Sequence, residues 1–337
     1  VMMSSTTARF LRHAGCRVPV ICGPMFPGSN PELVAAVSEA GGLGVVQPLS
    51  LTRIYGASSF REGLRTIKAL TNKPFGVNFT LLANRRYQRQ VDEWVDVSID
   101  EGVRFFLTSL GKPTGVAKIA RSHGITLYHD VHTADVARKV VDDVDGLICL
   151  NSSMGGQTGG LEAEEFMRSL PAEIRDHVPL VCAGGIASPE ALTRALDLGY
   201  AAAQVGTRFL ATPECRISDA YKTAIVDSSA DDIVYTNKMS GTRASVIETP
   251  DISRGGLNVN PVVAALLRFP PTKTLARTAL LARSLGRYAD AAHDDNVQYW
   301  QAGKGVDAIT AIEPVAVVMA RFAAAVRDLT NDNNINN

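Results

Sequence analysis

Paired cysteines are the first thing this sequence lacks. Its five cysteines (Cys16, Cys22, Cys149, Cys182 and Cys215) are odd in number, scattered and free of C-x-x-C spacing. That argues against a disulfide framework and a zinc site, and no metal is expected. Cys22, Cys149 and Cys182 lie inside apolar runs and read as small buried hydrophobes. Net charge is missing too. Lys plus Arg equals Asp plus Glu at 34 each, so no global field favours nucleic acid or an anionic membrane. No uninterrupted apolar run reaches the roughly 18 residues a membrane span needs. The first residues, Val1-Met2-Met3-Ser4-Ser5-Thr6-Thr7, form no apolar signal core, so a reducing cytoplasm is the expected location. Nucleotide fingerprints are absent as well. There is no G-x-x-x-x-G-K-[ST], and Gly41-Gly42-Leu43-Gly44 precedes a strand where a dinucleotide turn would follow one.

What is present is a recurring β-then-α rhythm. The 337 residues suffice for one (β/α)₈ barrel of about 250 residues plus insertions. Eight short apolar runs read as strands, at 18–22, 43–46, 75–79, 104–108, 126–129, 146–150, 180–183 and 202–205. They lack polar alternation, as strands of a parallel sheet covered on both faces do. Stretches of helical periodicity lie between them, at 31–40, 60–70, 91–101 and 133–141. Asn30, Thr133 and Ser188 are placed as N-caps, and Gly41 as a helix stop.

The last two strands each end in glycine. Ala183-Gly184-Gly185-Ile186 and Val205-Gly206-Thr207-Arg208-Phe209 let backbone N–H groups approach a ligand closely. In a (β/α)₈ barrel, the loops after strands seven and eight form the usual phosphate site. A phosphorylated ligand or cofactor is therefore expected. The expected organisation is an α/β TIM barrel over residues 1–226 and a helical lid over 227–303. A returning C-terminal helix over 304–330 and a disordered polar tail over 331–337 complete it.

With these segments laid out, the chain resembles the nitronate monooxygenase family, also called 2-nitropropane dioxygenase-like proteins. Flavin enoyl-ACP reductases are close relatives of that family. The resemblance runs nearly end to end. It rests on Pro19-Val20-Ile21-Cys22-Gly23-Pro24-Met25, Val37-Ser38-Glu39-Ala40-Gly41-Gly42-Leu43-Gly44 and Lys73-Pro74-Phe75-Gly76-Val77-Asn78. It continues through Gly155-Gly156-Gln157-Thr158-Gly159, the two glycine segments above, and Trp300-Gln301-Ala302-Gly303-Lys304-Gly305. It implies a TIM barrel with a helical lid, and FMN as cofactor. Gly23, Pro24 and Met25 would then face the flavin ring, and Asn78 would offer its amide to ribityl or phosphate oxygens. Gly155, Gly156 and Gly303 would lie in flavin-facing loops. Ala183, Gly184, Gly185, Gly206 and Thr207 would hold the phosphate, the Thr207 hydroxyl acting as a further donor.

The chain departs from the family at two places. Gln157 stands where active members commonly carry a histidine, to which the resemblance assigns proton removal from a nitroalkane. A neutral amide cannot accept that proton, although it can donate a hydrogen bond to a nitro, nitronate or carbonyl oxygen. His129, at the end of the fifth strand, is the candidate replacement acid or base, against a structural histidine in the same place. Lys304 replaces the family's usual glutamine; it is either a cation for the reduced flavin or a solvated surface lysine.

Three functions follow. The first is FMN-dependent oxidation of alkyl nitronates by O₂ to a carbonyl compound and nitrite. The second is NAD(P)H-dependent reduction of a quinone or enoyl thioester. The third is flavin binding without catalysis, because of Gln157. All three expect a small-molecule partner, and the apolar faces of the lid leave room for a homodimer.

Overall fold

The computed structural model describes residues 4–239 and 241–335. Eight parallel strands close into a barrel, and these are β1 (Val20–Cys22), β2 (Leu43–Val46), β3 (Phe75–Thr80), β4 (Phe105–Ser109), β5 (Thr126–Val131), β6 (Gly146–Leu150), β8 (Leu180–Ala183) and β9 (Ala202–Val205). β1 and β9 complete the ring with Ile21 opposite Gln204 and Cys22 opposite Val205. β7 (Gly156–Gln157) is a short strand in the loop after β6.

Side-chain parity explains both cores. Ile21, Val45, Leu107, Tyr128, Ile148 and Val181 fill the barrel interior together. Their sequence neighbours Phe106, Leu127, Leu147, Cys149 and Cys182 face outward onto the helices. Because both faces are buried, the strands are apolar over most of their length, with polar residues such as Asn78, Asp130 and Gln204 falling toward their C-terminal ends. The helix Ser5–Ala14 closes the N-terminal end. Phe10 meets Tyr128 edge-on at 6.1 Å, and His13 Nδ1 lies 3.1 Å from the Tyr128 hydroxyl.

Thr133 and Ser188 cap their helices through side-chain oxygens, as expected, with Val136 N–H and Ala191 N–H as donors. Asn30 does not. Its amide donates to Glu32 and to the Glu214 carbonyl, tying the start of one helix to the chain beyond β9.

Between β9 and the last helix, the chain is less helical than expected. β10 (Ile233–Thr236) and β11 (Ala244–Ile247) form an antiparallel hairpin, and β11 also pairs with β7. Four-residue strands give too little periodicity to stand out, and β7 has only two residues. Helices Pro261–Arg268 and Pro270–His293 follow. Pro270 and Pro271 start the long helix, where the missing N–H costs nothing.

The final helix spans Val315–Ile335, so it runs on through the first five residues of the tail expected to be disordered. Asn336 and Asn337 lie outside the described residues. Val315, Val318, Met319 and Phe322 are buried on one stripe of this helix. It packs against both Pro31–Glu39 and Pro189–Asp197, which completes the outer ring. Each such fully buried side chain contributes about 1.5–3 kcal/mol relative to exposure. No helix among the described residues is long and apolar enough to cross a membrane.

Candidate active site

A cavity of about 310 Å³ opens at the C-terminal mouth of the barrel, roofed by the long helix Pro270–His293. That volume lies at the small end of the range for small-molecule sites. Every residue the sequence nominated for the cofactor lines it. Gly23, Pro24 and Met25 come from the end of β1, Asn78 from β3, and Gly155 and Gly156 from the loop after β6. Ala183, Gly184 and Gly185 come from the end of β8, and Gly206 and Thr207 from the end of β9. Gly303 enters from the segment that precedes the last helix.

The glycine loops are held by one buried amide. Asn151 donates from Nδ2 to the Gly184 carbonyl at 3.0 Å, and its Oδ1 accepts from Ser153 N–H at 2.9 Å. Gly184 has φ +125°, and a Cβ there would lie 2.2 Å from Asn151 Oδ1. Glycine is therefore required on two counts, backbone angle and space. Among the described residues, no backbone carbonyl takes the N–H groups of Gly184, Gly185 or Gly206 outside regular structure. Successive N–H groups left free at a turn can form an anion-binding concavity. The Thr207 hydroxyl accepts from Gly303 N–H at 3.0 Å and keeps its own proton for a ligand oxygen. Arg208 braces this turn from behind. It is buried, donates to the carbonyls of Ala211 and Ala311, and lies 3.8 Å from Glu313.

The floor is polar in a specific way. Inward parity brings Asn78, Asp130 and Gln204 to the rim of the barrel, and all three line the cavity. Asn78 Oδ1, Asp130 Oδ1 and Gln204 Oε1 are each buried with no hydrogen-bond partner. By contrast, Gln47 Oε1 accepts from Ser50 N–H at 3.2 Å. Buried acceptors are rarely left unpaired, so Asn78 and Gln204 are set to meet a ligand that brings donors. The ring imide and ribityl hydroxyls of a flavin are such donors. The N–H cradle lies in the same cavity, where a phosphate fits. The residues present therefore fit FMN. Asp130 and Gln204 were not singled out in the sequence.

Gln157 lies on the cavity wall, with its backbone opposite Ala244 in the three-stranded sheet. His129 is elsewhere. It points outward, is 1% exposed, and its Nδ1 sits 2.8 Å from the Thr108 hydroxyl. Burial pushes its imidazole down to about 4. The expectation of a catalytic His129 is corrected: it is a packed structural histidine, and its neighbour Asp130 is the residue that faces the cavity. Burial lifts the Asp130 carboxyl to about 8. Lys304 also falls outside the cavity lining, with its ammonium 5.4 Å from the Tyr235 ring centroid. Ser153 lines the cavity, whereas Ser152 donates to Glu162. Burial raises the Cys182 thiol to about 12 and the Cys215 thiol to about 11, which leaves both unreactive. Among the described residues, no His, Cys, Asp and Glu cluster has the makings of a metal site.

The lid supplies the remaining wall. Arg277, Leu281, Leu285 and Tyr288 reach down from the long helix, and Arg277 Nε is buried without a partner. The segment bearing Gly303 is pinned by aromatic stacking. Tyr221 stacks on Trp300 at 5.7 Å and donates its hydroxyl to the Gln301 carbonyl at 2.6 Å.

Comparison with known proteins agrees with this geometry. The sequence profile of the nitronate monooxygenase family matches residues 9–324. A nitronate monooxygenase of Pseudomonas aeruginosa is 28% identical over 326 residues, covering 82% of this chain and 90% of that enzyme. A (3aS,4S,5R,7aS)-5-hydroxy-7a-methyl-1-oxo-octahydro-1H-indene-4-carboxyl-CoA dehydrogenase of Mycobacterium tuberculosis is 29% identical over 237 residues. That match covers 70% of this chain and 64% of the dehydrogenase. Among solved structures, FabK from Thermotoga maritima superposes with a TM-score of 0.78 at 26% identity, covering 97% of this chain and 98% of that one. The chain belongs to the nitronate monooxygenase family of flavin-dependent oxidoreductases.

Proposed function

We propose that the protein is an FMN-dependent oxidoreductase that takes preformed nitronate anions. Gln157 is the observation that carries this reading. An amide on the cavity wall replaces a base, and the carboxyl on the floor, Asp130, is largely protonated at neutral pH and offers no better one. A nitronate has already lost its carbon-bound proton and needs no base. Bound FMN supplies the electron acceptor and, with O₂, the route to carbonyl compound and nitrite.

The chain's own residues divide the remaining work. Gly184, Gly185, Gly206 and Thr207 hold the phosphate, and Asn78 and Gln204 accept from the flavin's donors. Gln157 donates to a nitronate oxygen and stabilises the charge there. Arg277 places a positive charge on the lid side, and Leu281 and Leu285 exclude water. Nitrite release should be measured with propionate-3-nitronate and with its neutral nitro form. Turnover of the nitronate alone supports the reading; comparable turnover of both overturns it.

A second reading is NAD(P)H-dependent reduction of an enoyl thioester or quinone. On the lid, Arg268, Lys273, Arg283 and Arg287 are exposed, besides Arg254, which pairs with Asp251, and Arg277, which lines the cavity. That surface suits the anionic carrier of a thioester. Rapid anaerobic bleaching of the flavin by NADH or NADPH would favour this reading. The unpaired cysteines suit a cytoplasmic location. Val262, Phe269 and Leu275 stay exposed on the lid and offer a homodimer surface, which light scattering tests directly.

A further inference from the structure

We propose that Asp130 is a hydrogen-bond donor on the cavity floor, a neutral carboxylic acid that holds an acceptor atom of the bound flavin. This rests on the FMN reading and adds a residue and a pH dependence to it. Position comes first. Asp130 follows Tyr128 and His129 on β5, so it shares the inward face with Tyr128 and stands opposite Ile148 of β6, another interior residue. It is thus aimed at the mouth of the barrel, and it lines the cavity.

Surroundings come second. Its Oδ1 is buried without a partner, and no ion pair to it forms among the described residues. On β4, the Thr108 hydroxyl is taken by His129, and Ser109 lies 3.4 Å from Thr80. On β6, the titratable neighbour is Cys149, whose buried thiol is pushed up and neutral. Across the cavity lie Arg277 and the hydroxyls of Tyr87, Tyr221 and Tyr288, all three hydroxyls raised by burial and neutral. No cation is bonded to the carboxyl, and burial alone lifts it to about 8.

Complementarity comes third. Asn78 and Gln204 already present two unpaired acceptor oxygens on this floor. The edge of a flavin ring alternates carbonyl acceptors with a single imide donor. The Asn78 and Gln204 amides each also carry an NH2 donor, and a protonated Asp130 adds a further donor aimed into the same cavity for the ring carbonyls. Once ionised, it can only accept, and it sets a negative charge under an electron-rich ring.

The test is the affinity of the apoprotein for FMN between pH 7 and pH 9, read by quenching of flavin fluorescence, for the wild type and Asp130→Asn. The wild type should lose about tenfold in affinity across this range, the worth of one good hydrogen bond. Asp130→Asn keeps an N–H donor at every pH and should give a flat profile. Ionisation of the FMN phosphate is common to both proteins and cancels. Infrared difference spectra of the wild type should also show a protonated carboxyl that disappears over the same range. They answer the question even where the variant folds poorly. Parallel affinity profiles, or a carboxylate already ionised at pH 7, overturn the role of Asp130. Failure of both proteins to bind FMN at any pH overturns the flavin reading with it.

Discussion

Asn151 donates from its side-chain amide to the Gly184 carbonyl at 3.0 Å, joining the loop after β6 to the loop after β8. The two loops line the same cavity, one with Gly155 to Gln157 and the other with Gly184 and Gly185. One side chain therefore ties the wall of the cavity to its glycine turn, beside the backbone bond from Asn151 N–H to the Ala183 carbonyl.

Asn151→Ala should separate these loops. It removes the two side-chain bonds, with a longer one to Cys182 Sγ, and leaves the Gly184 carbonyl and Ser153 N–H without them. A loss of about 1–3 kcal/mol in denaturant stability is expected, with FMN affinity falling as well. Unchanged affinity would mean that the backbone alone fixes the cradle.

Gln157→His should restore a proton acceptor on the wall of the cavity. Oxidation of a neutral nitroalkane should then appear, rising with pH as an imidazole of ordinary value near 6.5 deprotonates. Nitronate turnover should change little. The readout is nitrite released across a pH series. A variant with no activity toward the neutral compound would show that Gln157 is not what limits the substrate range.

Stability should depend on pH through two neighbours of opposite sign. His129 is neutral in the fold down to about 4, well below the usual 6.5. The unfolded chain binds that proton first, so its contribution is complete above 6.5 and fades as pH falls toward 4, by up to roughly 3 kcal/mol. Asp130 stays protonated up to about 8, far above the usual 3.8, so its contribution is complete below 3.8 and fades as pH rises toward 8. The two slopes oppose each other between pH 4 and 6.5. Denaturant melts of His129→Gln should show stability falling with pH there, and melts of Asp130→Asn should show it rising. Identical slopes in the two variants would contradict the assignment.

These two residues also mark where the sequence could and could not be read. Largely apolar strands announced the barrel, and the glycines that end β8 and β9 marked where the cavity at its mouth lies. Strand parity was not legible. Since both faces of β5 are buried, nothing in Thr126–Val131 says which side chains point inward. His129 was therefore nominated on its chemistry alone, and inward parity places its neighbour Asp130 in the cavity instead. Gln204 was hidden for the same reason. The β7–β11 pairing that carries Gln157 joins residues far apart in sequence through strands too short to show a period. Arg277 became a site residue only because a helix from the lid folds back over the barrel.

Titrating the purified apoprotein with FMN, alongside Gly184→Ala, tests the central claim most directly. The wild type should bind one FMN per chain and acquire a flavin absorption spectrum. Gly184→Ala should bind far more weakly, because its new methyl group would meet Asn151 in a backbone conformation that suits glycine. A wild-type protein that stays colourless in excess FMN, or a variant that binds it equally well, would contradict the account.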